Sequence, residues 1–286
     1  VLDAARCLNP AQIHVIYGHC GEALMESLPD PDVHWIHQQE QLGTGHAVLQ
    51  ALPHIPSDSQ VLVLSADVPL IQVPTLQALI QSRPTESELA LLVTQLENPY
   101  GLGRIVRNAR GEITTIVEEK DANEEEKNIK EIYTGICCAK ASDFASWLPK
   151  LGKNNAQGEY YLTEIIALAV ANNTPINSLT CKDWIETQGV NTRLQMQTLE
   201  REWQRRKAHE LLEQGVSLAD ANRFDLRGTL ICGKDVFIDI NCVITGTVTL
   251  GDGCSIGPNC TLSDVNLGAN CEVYANSVLE GSLLDQ

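Results

Sequence analysis

The sequence predicts two domains of different architecture, an α/β domain on a mostly parallel sheet and, after it, a short parallel β-helix. Three observations carry this. An aliphatic residue recurs every six positions toward the end of the chain, and short apolar runs alternate with helical stretches before it. The 286 residues, 43% of them hydrophobic, also exceed one usual domain and suffice for sizeable cores.

Ile238, Ile244, Leu250, Ile256 and Leu262 keep the six-residue period, and after one shortened step Leu267, Val273 and Leu279 resume it. Each unit forms one flat face of a triangular coil, with the aliphatic side chain inward and Gly, Asn or Asp turning the corner. One coil buries little by itself, so stacked coils or partner chains are required. An antiparallel β domain would alternate with period two instead. Cys242, Cys254, Cys260 and Cys271 share one phase of the repeat, where a small apolar side chain fits, and read as reduced core residues. The ten cysteines include no CxxC pair and no Cys/His ladder suited to zinc, and the seven histidines have no ligand spacing.

Upstream, strands are predicted over residues 13–17, 33–36, 61–65, 89–94 and 134–139, and helices over 44–52, 74–82 and 160–171. A longer helix over 192–214 places Leu194, Leu199, Trp203, Leu211 and Leu212 on roughly one face and ends at Gly215. The domain limits follow as 1–190, a connecting helix and linker over 191–225, and the β-helix over 226–286.

Twenty Lys and Arg against 37 Asp and Glu give a net charge of -17, which argues against a nucleic-acid partner. An anionic ligand would need its positive charge locally, from a metal ion or a few side chains. No apolar run is long enough to span a membrane and no signal segment opens the chain, so a cytoplasmic protein without a membrane partner is expected.

Two motifs carry chemistry. Gln41-Leu42-Gly43-Thr44-Gly45-His46-Ala47 lies between a predicted strand and a helix, where glycine backbone and free amide donors can read a nucleotide, or merely turn the chain. Asp67 follows the strand 61–65, at the carboxyl end where open α/β sheets place ligand and metal contacts; a turn cap is the plainer reading.

Six segments in order resemble the bacterial N-acetylglucosamine-1-phosphate uridyltransferases that also carry a glucosamine-1-phosphate acetyltransferase. They are 40–47 with the QLGTGHA run, Asp67-Val68-Pro69-Leu70, Gly101-Leu102-Gly103-Arg104-Ile105, 116–122 (IVEEKDA), 155–161 (NAQGEYY) and Gly189-Val190-Asn191. The hexapeptide region follows in its expected place, so the resemblance covers essentially the whole chain. It implies a Rossmann-like nucleotidyltransferase domain, a left-handed β-helix and a homotrimer. The implied reaction transfers uridylyl from UTP to N-acetylglucosamine 1-phosphate, releasing pyrophosphate. Asp67 and Asn191 would be the catalytic pair holding Mg²⁺, Gln38, Gly43 and Thr44 would address the uracil, and Gly103 and Glu118 the sugar. Lys120 and Arg104 could touch phosphate or balance nearby carboxylates.

The sequence departs from that family at several points. A glycine-rich loop of the type L-A-A-G-x-G-T-R-M, with a following lysine, is absent; the chain opens at Val1-Leu2-Asp3-Ala4-Ala5, which matches the helix after it. The expectation is therefore a longer natural protein, with the acetyltransferase site beyond Gln286, and no activity of this polypeptide by itself. Ala66 stands where glycine is usual, and Tyr133 where an Asn commonly bonds the substrate, so Tyr133 would either crowd the sugar or offer it a hydroxyl. Two other readings stay open, a transferase for another sugar phosphate or base, and a catalytically silent assembly subunit.

Overall fold

The computed structural model describes residues 1–19, 21–28, 31–83 and 88–284, so Cys20 lies outside the described residues. The chain divides into two compact units, Val1–Val190 and Asn191–Gln286.

The strands of the first unit are β1 (Ile13–Tyr17), β2 (Val33–His37), β3 (Gln60–Val63), β4 (Leu89–Gln95), β5 (Arg104–Arg107), β6 (Ile113–Val117), β7 (Glu131–Lys140) and β8 (Ile176–Thr180). β1 and β2 form a parallel pair of their own, and the remaining strands form a sheet ordered β6-β5-β7-β4-β8 with β3 also paired to β7. Residues 89–94 are an unbroken apolar run ending in Thr, all buried, as suits a strand covered on both faces. Alternation along β4 sends Leu89, Leu91 and Val93 into one core and Ala90 and Leu92 into the other.

The sheet is mixed. β4 and β8 are parallel, whereas the long β7 runs antiparallel to β3, β4 and β5. Leu91 pairs with Cys137 and Val93 with Tyr133, so Thr134, Gly135 and Ile136 bulge opposite Leu92. Gly135 sits there at φ +82°, and a Cβ on it would lie 2.4 Å from the Ser65 hydroxyl oxygen, so glycine is required. β5, β6 and β8 fall outside the predicted strands, and β3 stops two residues short of the predicted end at 65. The predicted helix 160–171 begins as a 3₁₀ turn at Leu162–Glu164 and continues as Ile165–Ala171. Residues 160 and 161 stay out of it because Tyr160 spends both backbone groups on another loop, accepting from Gly45 and donating to Leu42.

The second unit opens with helix Arg193–Glu213, capped by a reciprocal Thr192–Gln195 box and ended by Gly215 at φ +93°. Its buried stripe is Leu199, Gln204, Ala208 and Leu211, while Leu194 and Leu212 are exposed, contrary to the apolar face predicted for them. Gln204 holds its place by donating to the Leu226 carbonyl and accepting from the Leu226 N–H, each at 2.8 Å.

Beyond the helix every ladder is parallel, and most pair a residue with one 17 or 18 positions on, as Val243 with Thr261 and Thr261 with Val278. This is the coil of a parallel β-helix. Ile238, Ile244, Leu250, Ile256, Leu262 and Leu267 are almost fully buried. The corners carry positive φ at Asp235, Asn241, Gly246, Gly253, Asn259, Asp264, Asn270, Asn276 and Gly281, the residue types that enter the left-handed region at least cost. Cys242, Cys254 and Cys260 are buried, and their thiols point to backbone carbonyls of Gly257, Gly268 and Tyr274.

Candidate functional site

The glycine-rich loop after β2 is built around Gly43, at φ +112° as N-cap of helix Thr44–Ala51. A Cβ there would lie 2.6 Å from the Tyr160 carbonyl oxygen, so only glycine lets the loop approach the 160 segment. Gln38, nearly buried at 8% exposure, reaches across the loop and donates from its carboxamide to the Gly43 carbonyl at 3.2 Å. Thr44 accepts from the Leu162 N–H at 3.0 Å. The three residues assigned to the base by sequence therefore form one cluster.

A second cluster forms where β5 and β6 emerge. A Cβ on Gly103 would stand 3.4 Å from Glu118 Oε2, and the Gly103 carbonyl accepts from the Tyr133 N–H at 2.9 Å. Glu118 accepts from the Thr163 hydroxyl at 2.9 Å. Burial raises its carboxyl pKa above the ordinary value, with nearby Asp121 adding to the rise and the Thr163 bond and Arg104 opposing it. Tyr133 lies in the core behind this carboxylate, its hydroxyl bonded to the Cys137 thiol, and burial holds its pKa well above the ordinary phenol range. The same burial pushes Cys137 to about 12, an unreactive thiol.

Arg104 is almost fully buried, with its guanidinium on Glu119 and on the Leu102 carbonyl. Glu119 also accepts from the Gly101 N–H at 3.2 Å. Arg104 thus ties down the loop 101–103 from beneath rather than facing a phosphate. Lys120 donates to Gln157.

Asp67 follows β3 with an exposed side chain, and its carbonyl accepts from the Val190 N–H at 2.9 Å. Asn191, the next residue along the chain, is exposed and donates its backbone N–H to Gln195 at 2.8 Å. A carboxylate and an amide oxygen are hard donors, few in number, as Mg²⁺ prefers when phosphate oxygens and water complete its shell. Among the described residues no group of three or more His, Cys, Asp or Glu side chains could hold a metal ion, and no helix is long and apolar enough to cross a membrane.

Sequence reasoning missed Thr163 and Leu162. The neighbouring motif 155–161 was visible and 162–163 fell in the predicted helix, but only the fold shows that this segment bonds both clusters.

Residues 1–132 match the model of the MobA-like NTP transferase domain, and residues 230–264 that of the bacterial transferase hexapeptide. The class is thus an NTP-transferase unit followed by hexapeptide coils. The chain is 67% identical over 98% of its length to the bifunctional protein GlmU of Legionella pneumophila strain Corby, and equally so to that of strain Paris. It is 47% identical over 99% of its length to the bifunctional protein GlmU of Marinobacter nauticus. Over the stretch they share, the chain is similar to these bifunctional GlmU proteins. It spans 62% of the length of each of the three.

Proposed function

We propose that the first unit belongs to an enzyme that transfers uridylyl from UTP to N-acetylglucosamine 1-phosphate, forming UDP-N-acetylglucosamine and pyrophosphate in the cytoplasm. The observation that supports it best is the segment 160–163, whose backbone and side chains bond both the Gln38–Gly43–Thr44 cluster and the Gly103–Glu118 cluster. A base reader and a sugar holder on one rigid support suit a reaction that depends on aligning two substrates.

In this reading Gln38, Gly43 and Thr44 take the uracil, and Gly103 and Glu118 take the sugar, with Tyr133 as the wall behind Glu118. Asp67 and Asn191 would hold a divalent cation, Mg²⁺, which when bound offsets charge on the phosphates. The attacking phosphate is already an anion, so no side chain need act as general base. The hexapeptide coils would assemble three chains, and the whole protein, like its relatives named bifunctional, would also acetylate glucosamine 1-phosphate from acetyl-CoA.

Thermal stabilisation by UTP tests the reading without requiring turnover. UTP with Mg²⁺ should raise the melting temperature more than ATP or GTP does, and Asp67→Ala should abolish the Mg²⁺-dependent part of that rise. Equal stabilisation by all three nucleotides, or an Asp67→Ala protein that responds like its parent, would overturn the assignment.

A further inference from the structure

His46 has no part in the reading so far, yet it stands directly behind the residue proposed to read the base. The Gln38 carboxamide nitrogen lies 3.2 Å from the Gly43 carbonyl oxygen and 2.9 Å from His46 Nδ1. A carbonyl oxygen can only accept, so the carboxamide is fixed with its nitrogen inward, and its two N–H groups are spent on Gly43 and His46. Nδ1 must then present a lone pair. A neutral imidazole has one donor and one acceptor, which puts the proton on Nε2, 3.1 Å from the Gln50 carboxamide nitrogen. The complementary arrangement turns that amide so that its oxygen accepts, and gives up the longer 3.4 Å bond from the Gln50 nitrogen to the His46 carbonyl, while the Gln38 pair stays intact. Tyr160 stacks on the ring with centroids 6.2 Å apart and planes 28° off parallel, which holds the imidazole in place.

We infer that His46 is a positioning residue that sets the hydrogen-bonding sense of the base site. By accepting from Gln38 it keeps the carboxamide oxygen outward, and the side-chain bonds of Gln38 among the described residues leave that oxygen unused. Beside it stands the Thr44 N–H, the first of helix Thr44–Ala51, which lacks an intrahelical partner, while the Gly45 N–H is taken by the Tyr160 carbonyl. An acceptor next to a donor matches a base edge with a ring N–H beside a carbonyl, as in uracil. Cytosine presents a bare ring nitrogen and an amino group, setting acceptor against acceptor and donor against donor. The inference rests on the uridine-nucleotide reading and names the device that would enforce it against cytidine.

Two measurements test it. In the free protein, ¹⁵N shifts of labelled histidine should show His46 Nδ1 unprotonated and Nε2 protonated; the reverse tautomer overturns the orientation whatever nucleotide is bound. Calorimetry then compares UTP and CTP in the presence of Mg²⁺. His46→Phe keeps a ring against Tyr160 but has no acceptor, and should narrow the preference for UTP by about ten-fold, the worth of one lost polar contact. His46→Asn, which returns an acceptor near the position of Nδ1, should restore the preference to within about three-fold of the parent. A His46→Phe protein that loses UTP and CTP affinity equally has lost only structure, and that result overturns the proposal. A parent protein with the expected tautomer that binds both nucleotides alike refutes the uridine reading, and the selection with it.

Discussion

The Thr163 hydroxyl donates to Glu118 Oε1 at 2.9 Å, and one residue earlier the Leu162 N–H donates to Thr44 Oγ1 at 3.0 Å. Adjacent residues thus steady the carboxylate assigned to the sugar and the hydroxyl assigned to the base. Thr163→Val removes the first bond and keeps the β-branched shape. Calorimetric affinity for N-acetylglucosamine 1-phosphate should fall about ten-fold, as for one hydrogen bond to a charged group, about 1.5 kcal/mol. UTP affinity should stay within about two-fold, since the Thr44 bond comes from the backbone. Equal losses for both ligands would show the segment acting as a single support instead.

The raised pKa of Glu118 fixes a sign for stability against pH. Its ordinary value is 4.5, and burial lifts it in the folded state. Between those two values the folded protein binds more protons than the unfolded chain, so this group's contribution to stability declines as pH rises through that window. Glu118→Gln keeps an acceptor for Thr163 without the buried charge. At pH 7 the variant should melt at a higher temperature than the parent, and the gap should close as pH falls toward the ordinary carboxylate value. A variant less stable than its parent at pH 7 would mean that the carboxylate is held by stronger partners than Thr163 and Arg104.

Arg104 carries the next expectation. Its guanidinium has lost almost all contact with water, and its Nε finds no acceptor. Replacing a buried ion pair with apolar atoms of similar volume is often close to neutral, whereas stranding one partner is not. Arg104→Met together with Glu119→Gln should therefore cost less than about 1 kcal/mol in urea unfolding. Glu119→Ala alone, which leaves the guanidinium uncompensated, should lower the midpoint further than the double variant does. If the double variant is the less stable, the pair is worth more than its desolvation.

What the sequence showed and what it hid follow one division. The β-helix was legible residue by residue, because each coil repeats the same burial, and the six-residue period survives as the buried row from Ile238 to Leu267. The chemistry of Gly43 was legible too, since glycine before a helix implies a backbone that other residues avoid. Contacts between distant segments were not. Leu42 meets Tyr160, Glu118 meets Thr163, and Gly135 meets Ser65, and none of these pairs leaves a periodic mark. The apolar face predicted for helix Arg193–Glu213 held at Leu199, Trp203 and Leu211 but not at Leu194 and Leu212, and the buried stripe instead includes Gln204, since a glutamine with both amide groups satisfied by Leu226 can be buried where periodicity expects an aliphatic residue.

The asparagine corners of the β-helix supply the last prediction. Asn241, Asn259 and Asn276 all hold positive φ, and their side chains form a ladder in which Asn241 donates to Asn259 at 2.9 Å and Asn259 to Asn276 at 3.3 Å. Two effects meet at Asn259, the backbone conformation and the ladder, and substitutions separate them. Asn259→Gly keeps the conformation without strain and loses only exposed side-chain bonds, so it should change stability by less than about 1 kcal/mol. Asn259→Ala loses the same bonds but keeps a Cβ in the left-handed region, without the short polar side chain that eases asparagine into it, and should cost about 1–2 kcal/mol more than glycine. Urea unfolding followed by circular dichroism reads both. Alanine as stable as glycine would show that the corner relaxes out of the left-handed region, and that neighbouring coils, not the residue, set its path.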